Sequence, residues 1–115
     1  MSARRRNSQS VLKIYAPVFA ALGDETRLLL VTKLSLQSPQ SISQLAGDSD
    51  LTRQAVTKHL QALENVGLVY SLRKGRENLF EFEPKALKEV KNYLDEISTQ
   101  WDQALSRLKT FVEND

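Results

Sequence analysis

The apolar residues of this chain change their spacing twice, and any fold that buries all three patterns must combine helices with a short antiparallel hairpin. From Leu12 to Val66 they recur at three- and four-residue intervals, the period of a helix. From Leu68 to Glu83 they cluster and alternate: Leu68-Val69-Tyr70-Ser71-Leu72 is rich in strand formers, and Phe80 and Phe82 alternate with Glu81 and Glu83. From Leu87 onward Val90, Leu94, Ile97, Trp101, Ala104, Leu108 and Phe111 restore alternating spacings of three and four, the seam of a coiled coil. The pattern is mainly α with a small β-hairpin.

Local signals divide the helical part. Leu12, Tyr15, Phe19 and Leu22 outline a first helix, with Pro17 marking either a kink or its first turn. Gly23 stops it, and Asp24 is placed to cap a second helix running to about Leu36. Ser38-Pro39-Gln40 breaks that helix. Ser41 with Gln44 has the form of a capping box for a short third helix, and Gly47 to Asp50 read as a tight turn. Thr52 caps a fourth helix over 53–66, which Gly67 ends. Arg73 to Asn78 read as the tip of the hairpin, and a long helix follows Pro84 over about 85–112. Residues 1–10 are polar, basic and aperiodic, and are expected to form a flexible arm ahead of one domain over 11–115.

At 115 residues with a net charge of +2, the overall balance is ordinary, but the charges are segregated. Residues 1–23 carry Arg4, Arg5, Arg6 and Lys13 with no acid. Residues 52–76 carry Arg53, Lys58, Arg73, Lys74 and Arg76 against Glu64, whereas residues 77–115 carry nine acids against five bases. One part of the chain is suited to a polyanion and another is not. Three arginines before an apolar stretch superficially resemble an export leader, but Lys13 and Pro17 interrupt it and no cleavage site follows. No apolar run is long enough to cross a membrane. With no cysteine, disulfide and thiolate chemistry are excluded, and a cytoplasmic location is expected.

Two short helices joined by a tight turn describe a helix-turn-helix. On a helical wheel of the fourth helix, Val56, Leu60 and Leu63 face a core, while Gln54, Thr57, Lys58 and Gln61 face away. These four can hydrogen-bond, none is acidic, and three lie in the first half of the helix, which suits a major groove. A merely solvated face would look similar. The basic hairpin directly afterwards, with Arg73, Lys74 and Arg76, favours the nucleic-acid reading, because at this place in the order it becomes a wing.

The stretches FAALGDETRLLLVTKL, SISQLA, LTRQAVTKHLQALENVGLV and RKGRENLFEFEP resemble successive signatures of ArsR-type winged helix-turn-helix transcriptional repressors, over about residues 18–84. The resemblance implies the order α1-α2-α3-α4-β-wing-β-α5, with dimerisation through the first and last helices. It places Arg53, Gln54, Thr57 and Lys58 at DNA-contact positions and implies double-stranded operator DNA and a second copy of the chain as partners. The interface expected from the last-helix seam comprises Leu87, Val90, Leu94, Ile97, Trp101 and Leu108. Metal-sensing members carry a cysteine motif where this chain reads Ser41-Ile42-Ser43-Gln44-Leu45, and others use histidines on the last helix, which here has none. The resemblance therefore implies a branch without metal or other cofactor, and leaves any inducer unnamed.

Three other readings are weaker. Glu89, Asp95, Glu96 and Asp102 are spaced as a solvated face. His59, the single histidine, sits at the border of the core, where a packed edge residue is favoured over a DNA contact. No acid, base and nucleophile converge, so no enzymatic activity is expected; the alternative to DNA binding is a winged helix that docks another protein. Because cysteine is absent and histidine single, the soft and borderline ligands for zinc are missing. Zinc titrated into a preformed DNA complex is expected to leave fluorescence anisotropy unchanged, and chelator-reversible release would contradict this reading.

Overall fold

The computed structural model describes the backbone of residues 2–47 and 49–114, and the side chains of residues 10–47 and 49–114. The elements are α1 (Ser2–Leu22), α2 (Glu25–Leu36), β1 (Gln40–Ser41), α3 (Ile42–Ala46), α4 (Arg53–Asn65), β2 (Val69–Lys74), β3 (Glu77–Phe82) and α5 (Pro84–Glu113). Residues 1–84 form one compact unit and residues 85–115 another.

The cap signals translate into hydrogen bonds. The Asp24 carboxylate accepts from the Arg27 backbone N–H at 3.0 Å and starts α2. That bond is the main cause holding the Asp24 carboxyl below its ordinary pKa, with the Arg27 guanidinium adding to it. Ser41 and Gln44 form a reciprocal capping box, with the Gln44 N–H donating to Ser41 Oγ at 3.1 Å and the Ser41 N–H to Gln44 Oε1 at 2.8 Å. Thr52 Oγ1 accepts from the Ala55 N–H at 3.0 Å and starts α4. Each cap satisfies a donor that the first turn of a helix leaves open.

The core of the first unit gathers Leu30 and Leu34 of α2, Leu45 of α3, Val56, Leu60 and Leu63 of α4, and Leu68 and Val69 at the start of the hairpin, all essentially without solvent contact. Phe80 and Phe82 are buried and Glu81 is half-exposed, as the alternation requires. Leu79 is buried as well. Among the described side chains of α1, Val18 and Ala21 are the buried positions, while Leu12 and Ile14 remain exposed.

Three features depart from expectation. First, α1 begins at Ser2, so the stretch expected as a flexible arm over 1–10 has helical backbone from Ser2 onward. Ala, Arg and Gln are adequate helix formers, and polarity alone does not forbid extension of a helix already nucleated downstream. Pro17 lies inside this helix rather than at its start. Second, the hairpin is tighter than the 73–78 tip. Arg73 pairs with Asn78 and Lys74 with Glu77, leaving a loop of Gly75 and Arg76 with Gly75 at φ +63°. Glycine with positive φ at the first loop position is the chemistry of a two-residue type II′ turn, which lets the ladder continue to the end. Third, Gln40 and Ser41 pair with Phe80 and Leu79, adding β1 as an edge strand in the order β1-β3-β2. Two residues are too short for any periodicity to show.

The end of α4 is a Schellman motif. The Gly67 N–H donates to the Glu64 carbonyl at 3.0 Å and the Leu68 N–H to the Leu63 carbonyl at 3.1 Å, with Gly67 at φ +80°. A Cβ on Gly67 would meet no atom within 4 Å, so a substitution there is penalised by backbone conformation alone. Gly67→Ala is expected to lower stability by about 1–2 kcal/mol, with Gly67→Asn recovering part of the loss. Urea unfolding of the three proteins checks this, and equal midpoints would contradict it.

Candidate nucleic-acid interface

Burial of Val56, Leu60 and Leu63 turns the opposite face of α4 outward, where Arg53, Gln54, Lys58 and Gln61 are exposed. Thr57 is half-buried, and its hydroxyl donates to the Arg53 carbonyl at 2.8 Å. That bond uses the hydroxyl's only proton, so Thr57 offers outward a lone pair and a methyl group but no donor. Arg53, Gln54, Thr57 and Lys58 line an open hollow of about 550 Å3 together with Ile42 from the first turn of α3. The wheel of α4 could not supply Ile42. Its only sequence signal is its place just after the Ser41 cap.

The electrostatics of this region follow from what the charges touch. Arg53, Lys58, Arg73, Lys74 and Arg76 are all exposed, and among the described residues none of their side chains makes an ion pair or hydrogen bond. Glu64, the one acid between residues 52 and 76, is engaged by β2: its carboxylate accepts from the Ser71 backbone N–H at 3.3 Å and the Ser71 hydroxyl at 3.0 Å. The Tyr70 hydroxyl donates to Glu81 Oε2 at 2.8 Å, and the carboxylate it faces raises the phenol pKa. Positive charge is thus left unpaired on α4 and the wing, while Glu64 of α4 and Glu81 of β3 are engaged by β2 and Glu77 at the wing tip is exposed without an ion pair to these bases. Arg73 and Lys74 stand on the paired ladder, and only Arg76 belongs to the turn itself.

His59 is half-buried, and its Nδ1 lies 3.2 Å from Arg27 Nη1 and 3.9 Å from Asp24 Oδ2. It is a packed edge residue, tied to α2 and to the cap of α2. Among the described residues there is no group of three or more histidine, cysteine, aspartate or glutamate side chains placed to hold a metal ion, and no helix is long and apolar enough to cross a membrane.

Within α5, Leu87, Leu94, Trp101 and Leu108 of the seam are exposed, Trp101 by 68%, and Ile97 is half-exposed. Phe111 is exposed as well. Val90 is 5% exposed.

Among the described residues, five helices that include a helix-turn-helix, with a basic two-stranded wing and a polar outward helix face, define a winged helix-turn-helix protein. Comparison with known proteins agrees. The model of bacterial regulatory proteins of the arsR family matches residues 24–71. An uncharacterized HTH-type transcriptional regulator of Bacillus subtilis, YuzN, is 39% identical over 79 residues, covering 64% of this chain and 86% of that protein. An ArsR-like transcriptional regulator from Rhodococcus sp. RHA1 superposes with a TM-score of 0.76 at 38% identity, over 89% of this chain and 95% of that one. A Mycobacterium bovis winged helix-turn-helix DNA-binding domain, homodimeric in solution, shares the fold with a TM-score of 0.63 at 22% identity, over 85% of this chain and 87% of that one. The chain belongs to the ArsR family and is a DNA-binding transcriptional regulator.

Proposed function

We propose that the protein is a cytoplasmic, homodimeric repressor that occupies a palindromic operator, with α4 in the major groove and the β2–β3 wing on the backbone or in the adjacent minor groove. The observation that carries this reading is the set of unpaired, exposed side chains on α4: Arg53, Gln54, Lys58 and Gln61, with Thr57 beside them. Arginine and lysine donate to guanine, glutamine pairs with adenine, and a threonine whose proton is spent on the helix offers its methyl to thymine. A protein-docking face would instead centre on an apolar or aromatic anchor. On α4 the exposed positions are polar, and Ile42 in the adjoining hollow is half-buried. Arg73, Lys74 and Arg76 supply counterion release, which strengthens binding to any duplex.

Dimerisation rests on the seam of α5. A soluble helix does not keep Leu94, Trp101, Leu108 and Phe111 in water without a partner, and each Å2 of apolar surface removed from water is worth about 25 cal/mol. A second copy of the chain presents the same stripe, and Leu12 and Ile14 of α1 are also exposed. Replacing Ile97 and Trp101 with glutamate is expected to convert dimer to monomer in sedimentation equilibrium. A wild-type protein that is already monomeric at tens of micromolar would refute the interface.

Selection from a random duplex library identifies the operator, and two variants then separate the elements. Alanine at Gln54, Thr57 and Lys58 is expected to cost on the order of 1–3 kcal/mol per lost bidentate contact on the operator and much less on random DNA. Neutralising Arg73 and Arg76 removes four charges per dimer. The slope of log affinity against log salt should become shallower by up to about 3.6, with both duplexes weakened alike. Loss of specificity in the wing variant with retention in the helix variant would mean the two roles are exchanged.

A further inference from the structure

The back of α4 carries a polar knot that plays no part in the exposed face. Arg27 reaches across from α2, with its Nε donating to the Ala21 carbonyl at the end of α1 at 2.6 Å and its Nη1 lying 3.2 Å from His59 Nδ1 on α4. One guanidinium therefore ties three helices together at the middle of the recognition helix. A guanidinium has donors and no acceptor, so the bond to His59 exists only when Nδ1 is unprotonated, that is, when the ring is neutral with its proton on Nε2. The Asp24 carboxylate waits 3.9 Å from the same Nδ1.

We propose that Arg27 is a positioning residue for the recognition helix, acting through neutral His59, and that protonation of His59 releases it and makes specific DNA binding sensitive to pH. The DNA arm of this proposal rests on the α4 reading above; the knot itself does not. When Nδ1 takes up a proton it turns from acceptor to donor. Arg27 then loses its partner and faces a like charge at hydrogen-bonding distance, while Asp24 becomes the available acceptor. The ring exchanges a tie that runs through Arg27 to the end of α1 for one to the cap of α2.

The other charged groups on the elements packed around the ring are few. α2 adds Glu25 and Lys33, the latter donating to the Leu45 carbonyl at 3.2 Å. α3 has no titratable residue. α4 itself carries Arg53, Lys58 and Glu64, the last engaged by Ser71. The described side chains of α1 include Lys13 and Tyr15, and β2 carries Tyr70, Arg73 and Lys74, with Tyr70 engaged by Glu81. His59 lies next to Lys58 in sequence, and a shift of α4 by a fraction of an ångström at this turn disturbs base contacts more than phosphate contacts, because base contacts are the directional ones.

The test exploits His59 being the only histidine of the chain. The nitrogen NMR signals of its ring are expected to show the Nε2–H tautomer near pH 8. Hydrogen exchange of α4 amides, corrected for intrinsic rates, should lose protection towards about pH 5.5 in the wild type but not in His59→Gln, whose amide oxygen still accepts from Arg27 and does not titrate. On the selected operator and a scrambled duplex at fixed ionic strength, the ratio of the two dissociation constants should fall on the order of ten-fold over the same range, as for loss of one charge-assisted hydrogen bond. Arg27→Gln should lower that ratio at pH 8 and flatten its pH dependence. An Nδ1–H tautomer near pH 8, α4 protection indifferent to pH, or the same pH slope in His59→Gln would overturn the proposal. Absence of any duplex preference at pH 8 with a normal tautomer and exchange response would overturn the DNA reading and leave the knot standing.

Discussion

The structure of the first unit depends on the burial of Val56, Leu60 and Leu63. These three residues, completely withdrawn from solvent, decide which way α4 faces, and the direction of every candidate DNA contact follows from it. A helix rotated by one residue would turn each side chain by about 100°, bringing Gln61 and Glu64, or His59, against the core that holds Leu30 and Leu34. The apolar stripe thus orients the polar face, and the polar face needs no interaction of its own to be presented.

Both ends of α4 are secured by local chemistry that also joins it to its neighbours. Thr52 closes the first turn beside the hollow where Ile42 approaches. At the other end, Gly67 turns the chain so that Leu68 folds back into the core, and the Leu68 carbonyl then accepts from the Glu83 N–H at 2.9 Å. The recognition helix, its cap and the base of the wing form one continuous hydrogen-bonded path. Gly75 closes the hairpin with a two-residue turn, so Arg73 and Lys74 are carried on a paired ladder instead of a loose loop. An ordered ladder limits the positions those charges can occupy, a different basis for phosphate contact from a flexible tip.

Much of this was legible because it is written in local signals. Asp24, Ser41, Thr52 and Gly67 are short-range instructions whose hydrogen bonds span only a few residues, and all four act as read. The exposed residues of α4 followed from a stripe of three apolar positions. The strand β1 was not legible, because Gln40 and Ser41 become strand only by pairing with β3, some forty residues away in sequence. Ile42 was missed for a related reason: its place in the hollow depends on how α3 packs on α4. Pro17 was ambiguous because proline suits a first turn, whereas an interior position costs about 3 kcal/mol and is held only where tertiary packing, here the burial of Val18 and Ala21, offsets that cost.

The sequence by itself determined the order of the helices and the hairpin, the caps of α2, α3 and α4, the polar face of α4, the unbroken seam of α5 and the segregation of charge, since each depends on periodicity or on a side chain reaching its own backbone. Tertiary structure alone decided which charges remain unpaired, that the Thr57 proton is spent on the Arg53 carbonyl, and that Arg27, His59 and Asp24 meet. Those outcomes require residues from separate elements, or a particular rotamer, to arrive within about 3–4 Å of one another, and no one-dimensional pattern encodes that distance.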